Sequence, residues 1–171
     1  MNRGNQILLG LIVVLTGALV WVVKGTLEQR VINAGDLAPE FRIVTDSGKT
    51  VTRTDFGGRI LVLNFWASWC APCVEEIPSL QAFQKTLASD GVVVLGVSID
   101  ANEKLYHRFL DRFKVTFPTA RDPEANISAS YGTFQIPETY IIDNSGKVRE
   151  KIISNTNWMD PELLKRVKSL L

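Results

Sequence analysis

From Ile7 to Val23 the chain reads ILLGLIVVLTGALVWVV, seventeen residues with no charge and one hydroxyl, Thr16. Past this run the pattern breaks into short apolar blocks divided by polar turns. Phe41–Thr52 holds two short β-prone runs around DSGK, which predicts a hairpin. ILVLNFWA (Ile60–Ala67) is nearly continuous apolar, as in a strand covered on both faces, and VVVLGVSID (Val92–Asp100) reads the same way. Between them, Ala71 to about Ser89 carries helical spacing at Val74, Ile77, Leu80 and Leu87. Asn102–Lys114 predicts a second helix, with Leu105, Phe109 and Phe113 at four-residue steps along one side. After an irregular piece, RDPEANISASYG, the runs ETYIID and KVREKII flank NSG as strand, turn and strand. The end, DPELLKRVKSLL, opens with Asp160 as a cap and Pro161 in the first turn, and carries a stripe of Leu163, Leu164, Val167, Leu170 and Leu171. Strands alternating with helices, then a hairpin and a closing helix, predict an α/β domain with a mixed central sheet flanked by helices.

The apolar run would span about 25 Å as a helix, at roughly 1.5 Å per residue, near the lower limit for crossing a bilayer. Arg3 precedes it, and Lys24, Glu28 and Arg30 follow. The positive-inside bias, modest because of Lys24, puts residues 1–6 in the cytoplasm and the domain outside. A cleaved signal peptide is the alternative, but its apolar core is normally shorter and ends in a small-x-small site. TGA (Thr16–Ala18) lies inside the run and VKG (Val23–Gly25) carries a lysine, so retention as an anchor over 7–23 is favoured. No cysteine near the run allows a lipoprotein anchor. Residues 24–35 read as a linker and 36–171 as the exported domain, long enough to bury a core. Nineteen Lys and Arg against eighteen Asp and Glu give a net charge of +1, which points to no nucleic-acid or polyanion partner.

The only two cysteines, Cys70 and Cys73, fall in the same short stretch, WCAPC, where the buried strand ends and the helix begins. Pro72 suits a first helical turn, where its missing N–H has no partner to lose. A helix N-terminus offers unpaired N–H groups and partial positive charge that stabilise a thiolate, the attacking species in disulfide exchange. Cys70, at the exposed end, is expected to attack, and Cys73, one turn in, to resolve the mixed disulfide. Glu76 lies one turn beyond Cys73 on the same face, whereas Glu75 points nearly opposite. Spacing alone leaves Glu76 open between a proton relay and a solvated surface charge. Asn64 interrupts an apolar strand, and a satisfied buried amide is its plainest reading. A zinc site wants four ligands, and the chain offers two cysteines and one histidine, His107, on the outer side of its helix. No metal is expected. A structural disulfide closing so short a loop would remove little chain entropy, so it is a poor staple.

The residues resemble the thioredoxin superfamily, specifically its TlpA/ResA-like branch of membrane-anchored, extracytoplasmic thiol–disulfide oxidoreductases. Three motifs in order carry the resemblance: GDLAPEF (Gly35–Phe41), VLNFWASWCAPCVEEIP with Trp69 before the first cysteine and Pro78 after the second, and YGTFQIPETYIID (Tyr131–Asp143). It implies a thioredoxin-like fold with an N-terminal β-hairpin and an insertion, Asp122–Gln135, before a cis-proline at Pro137. It also implies that Glu76 is the acid beside the cysteines, since Asn64 stands where ordinary thioredoxins carry a buried aspartate. The Ile136 backbone would then pair with an extended substrate. No cofactor is implied beyond a redox-active Cys70–Cys73 disulfide. The expected partners are a membrane electron donor and disulfide-containing exported proteins, such as apocytochrome c with its haem-attachment CxxCH. Two rivals stand beside this reductant: a disulfide oxidase or isomerase, and a copper(I) chaperone using the soft thiolates. The chaperone lacks an evident His or Met partner.

Overall fold

The computed structural model describes residues 3–27 and 31–171, in two compact units, the second running from Val31 to Leu171. The first is helix α1, Arg3–Leu27, longer at both ends than the apolar run. Its stretch Gly4–Val22 is long and apolar enough to cross a membrane. The one hydroxyl is satisfied within the helix, as Thr16 Oγ1 donates to the carbonyls of Ile12 at 2.8 Å and Val13 at 3.0 Å. Residues 24–27, expected to open the linker, continue the helix; Met1, Asn2 and the linker's residues 28–30, including Glu28 and Arg30, lie outside the described residues.

The domain begins before the expected boundary at 36. Ile32 is buried, and its N–H donates to the Tyr131 carbonyl at 3.1 Å, while Gly35 N–H donates to Val148 at 2.7 Å. Residues 31–35, VINAG, are too few to show a period, which is why they read as linker.

The hairpin follows as expected, β1 (Arg42–Val44) antiparallel to β2 (Thr50–Thr52). Then come β3 (Ile60–Trp66), α2 (Ala71–Leu87), β4 (Val92–Ser98), α3 (Glu103–Phe113) and a short strand, β5 (Thr119–Arg121). The remainder is α4 (Asn126–Ser130), β6 (Glu138–Ile142), β7 (Val148–Ile153) and α5 (Pro161–Lys168). β5 and α4 were not expected: three and five residues are too short to show a period, and Asp122 caps α4 through the N–H groups of Asn126 and Ile127. Asp160 caps α5 as expected, accepting from Glu162 and Leu163 N–H at 3.0 Å each.

The sheet order is β5-β4-β3-β6-β7, with β3 parallel to β4 and antiparallel to β6. Every residue of central strand β3 is buried, which explains its unbroken apolar run. Alternation divides its side chains between two cores. Ile60, Val62 and Trp66 join the core under α2, α3 and α5, while Leu61, Leu63 and Phe65 join the core that also holds Ile43, Val51 and Tyr131. Asn64 has the parity of the first set and is therefore the polar residue that β3 turns towards α2.

The stripe expected on α3 is shifted. Tyr106 and Phe109 are its core anchors, packed on the Trp66 ring at 5.7 and 4.6 Å, whereas Leu105 is exposed and Phe113 half-buried. Strict four-residue steps drift around a helix of 3.6 residues per turn, so only part of such a row can face the sheet. On α5 the same drift leaves Leu163 and Val167 buried and Leu171 exposed.

Candidate active site

The chain leaves β3 at its C-terminal end and turns into α2 within four residues. Asp100, just past β4, holds that turn. It accepts from Ser68 N–H at 2.8 Å, Ser68 Oγ at 2.7 Å and Ser98 Oγ at 2.7 Å, and is buried itself. Neither Asp100 nor Ser68 was expected in this role; the only signal was a carboxylate closing an apolar strand run.

Cys70 is the N-cap of α2, its Sγ accepting the Cys73 N–H at 3.3 Å, and Pro72 sits in the first turn. Cys70 and Cys73 are joined as a disulfide with Cα atoms 5.3 Å apart. Cys73 is wholly buried and Cys70 keeps 5% of its surface, so Cys70 is the more accessible of the two. Trp69 beside it stands 65% exposed. Opposite, the Ile136–Pro137 bond is cis, and the Ile136 carbonyl oxygen lies 3.6 Å from Cys70 Sγ. The Ile136 backbone makes no backbone hydrogen bond among the described residues.

Glu76 is buried beneath the cysteines, not solvated. Asn64 Nδ2 donates to its Oε1 at 2.9 Å and the Trp158 indole N–H donates to its Oε2 at 3.2 Å. Desolvation pushes its carboxyl up to about 7, against the pull of the Trp158 and Asn64 donors and the Thr156 backbone. A carboxyl poised near neutrality can take or give a proton as a disulfide opens and closes. Asn64 also donates to Thr139 Oγ1 at 2.9 Å, while its own Oδ1 is buried without a partner, so it is only partly the satisfied amide of the plain reading. Trp158 was missed. In sequence it is one aromatic in a polar run, NTNWMD, and nothing local marks it.

A second buried carboxylate, Glu138, follows Pro137 but has the other parity on β6, so it faces the opposite core. It pairs with Lys151 Nζ at 2.9 Å and accepts from Thr133 Oγ1 at 3.2 Å and from Tyr140 OH. His107 is exposed on α3, paired loosely with Glu103 at 3.6 Å, far from any role here.

This cysteine–carboxyl–cis-proline arrangement on a mixed sheet has relatives. Residues 34–151 match the AhpC/TSA family. The chain belongs to that family. Among curated proteins, thiol-disulfide oxidoreductase ResA of Oceanobacillus iheyensis is 30% identical over 146 residues, 82% of this chain and 76% of that one. Thioredoxin-like protein YneN of Bacillus subtilis is 34% identical over 145 residues, 82% and 84% of the two chains. Among solved structures, a thiol:disulfide interchange protein DsbE from Chlorobium tepidum superposes with a TM-score of 0.71 at 29% identity, covering 81% of this chain and 95% of that one. The family resemblance carried by the three motifs is borne out. The protein is a thiol–disulfide oxidoreductase with a thioredoxin-like fold and a ResA/DsbE-like CxxC pair.

Proposed function

We propose that the protein is a single-pass, membrane-anchored reductant of protein disulfides, with Cys70 attacking, Cys73 resolving and Glu76 moving the proton. The Cys70 thiolate attacks one sulfur of the client disulfide; that S–S bond breaks, a mixed disulfide forms, and the departing client thiolate takes up a proton. Cys73 then gives its proton to Glu76 and attacks Cys70 Sγ, forming the internal disulfide and releasing the second client thiolate. Two electrons pass from the dithiol to the client. A membrane electron donor restores the dithiol by the reverse exchange. The client strand lies along the free Ile136 backbone beside the sulfurs and pairs with it through main-chain hydrogen bonds.

The observation that carries this reading is the buried Glu76 carboxyl, held by Asn64 and Trp158 and raised to about 7. Helix α1 supports the anchor, and the bias of flanking charges supports an extracytoplasmic domain. Among exported clients, the CxxCH of apocytochrome c must be reduced before haem attachment, which makes it the leading client.

The test is a Cys73→Ser variant expressed in cells, which should accumulate mixed disulfides through Cys70 with c-type apocytochromes among the trapped proteins. Trapping by Cys70→Ser instead would reverse the order of attack, and normal c-type cytochromes in a deletion strain would remove that client. A reduction potential near about −270 mV is expected; one near about −120 mV would make the enzyme an oxidant.

A further inference from the structure

Helix α3 carries two interleaved rows at four-residue spacing: Leu105, Phe109 and Phe113, and one position earlier in each turn Lys104, Arg108 and Arg112. Of the apolar row only Phe109 is buried, and Leu105 stands 42% exposed. The uncovered part of that row, with Val74 of α2 and Ser68, lines a groove of about 250 Å³ whose other wall is Arg108 and Arg112. The Arg112 guanidinium lies 5.3 Å from the Phe113 ring centre. Neither arginine forms an ion pair among the described residues, not even with Asp111, which lies between them on α3; Glu103, at the head of the helix, is engaged by His107 and Arg121.

Two residues that line the groove, Ser68 and Val74, flank the cysteines along the chain. Ser68 precedes Cys70 by two residues and Val74 follows Cys73 directly, so a polypeptide whose disulfide reaches Cys70 can lay its flanking residues here. An apolar floor beside two exposed guanidiniums suits an occupant that is both apolar and acidic. Aliphatic or aromatic side chains would cover Leu105 and Phe113, and carboxylates would pair bidentately with the arginines.

We propose that the α2–α3 groove docks the client segment flanking the target disulfide, and selects segments that combine an apolar side chain with acidic residues. The proposal rests on the exchange chemistry of Cys70 and Cys73. It gives the enzyme a second recognition element on the side of the cysteines away from Pro137. Because the charges sit at a solvent-facing rim, their contribution is to encounter and selection, and it weakens with salt.

The experiment uses the full-length reduced protein in a non-ionic detergent and three disulfide-bridged peptides. They share one Cys-x-x-Cys loop and one apolar flanking residue, and differ in two adjacent positions that are both Asp, both Asn or both Lys. Rates of peptide reduction are measured at about 20 mM and about 300 mM salt. The expected result is a preference of about tenfold for the Asp over the Lys peptide at low salt, shrinking towards unity at high salt. In R108E/R112E the order should invert, and in R108Q/R112Q the ratio should fall near one; a ratio within one preparation is insensitive to partial loss of fold. Equal rates with all three peptides, or a preference unchanged in both double variants, would overturn the groove while leaving the exchange chemistry intact. Loss of binding to anionic phosphatidylserine vesicles in R108E/R112E without any change in peptide ratio would assign the surface to lipid and also overturn it. No reaction with any peptide, nor with 5,5′-dithiobis(2-nitrobenzoate), would overturn the exchange reading itself.

Discussion

Glu76 and Asp143 are both buried carboxylates, at opposite ends of the central sheet, and the protein drives them in opposite directions. Near the cysteines, Glu76 has one donor on each oxygen and is surrounded by the side chains of α2, β3 and Trp158; desolvation wins and its carboxyl rises to about 7. At the far end, where Leu61 pairs with Ile142, Asp143 closes the β6–β7 turn. Burial raises its carboxyl too, but Ser145 N–H at 2.8 Å, Ser145 Oγ at 2.7 Å, Lys147 N–H at 3.0 Å and the Arg149 guanidinium all donate to it, leaving it at about 2. Glu76 is the more deeply buried and Asp143 has the more donors, and both differences set their carboxyls apart.

The two groups have opposite linkage to stability. Glu76, raised from 4.5, contributes stability that is full below pH 4.5 and lost as pH rises through about 7. Asp143, lowered from 3.8, contributes stability present above pH 3.8 and lost as pH falls through about 2. One end of the sheet is built to titrate and the other to stay ionised.

The largest effect is expected from E76Q. With no group left to take the Cys73 proton, resolution of a trapped mixed disulfide should slow about 100-fold at pH 8, read by stopped-flow quench. The wild-type rate should fall as pH drops through about 7, when Glu76 becomes protonated, and that inflection should vanish in the variant. In urea titrations at pH 9, E76Q should be the more stable protein by about 2 kcal/mol, the relief of a buried charge less one lost hydrogen bond. An unchanged resolution rate would return Glu76 to a structural role.

D143N should do the reverse. It should cost about 1 kcal/mol at pH 7 by urea titration, less than the full shift because the Arg149 partner is half exposed, with the deficit shrinking as pH falls from 3.8 towards 2, and leave the pH dependence of exchange in place. W158F removes one of the three donors that favour ionised Glu76, so the kinetic inflection should climb by about one pH unit. If it stayed in place, the indole would be packing and not tuning. The smallest effect is expected from H107A. It removes the chain's only imidazole and should leave the inflection unmoved because His107 is exposed on α3 and pairs with Glu103 there. A lost inflection there would take the assignment away from Glu76.

Much of this was readable in one dimension. The central strand, the cysteine-bearing helix and the closing helix announce themselves because each has a long run with one period. The short strand β5, the one-turn helix α4 and the first residues of the domain do not, because a few residues show no period and Ile32 acquires meaning only against Tyr131. The site divides in the same way. Cys70, Cys73, Pro72 and Trp69 are contiguous, and Glu76 follows at one helical turn. Asn64 was suspected, since it breaks an apolar strand. Trp158 was invisible, being eighty-two residues from the carboxylate it holds.

The order of letters alone settled which sulfurs can meet, which helix end they sit on and which acid shares their face, since these depend on spacings of three or four residues and on local backbone geometry. Folding in three dimensions settled where that acid sits. Whether Glu76 is a solvated charge or a buried carboxyl depends on how much water is excluded and how many donors arrive, and both came from β3 and the segment before α5. Desolvation is a property of the packed surroundings, and no stretch of chain carries its own.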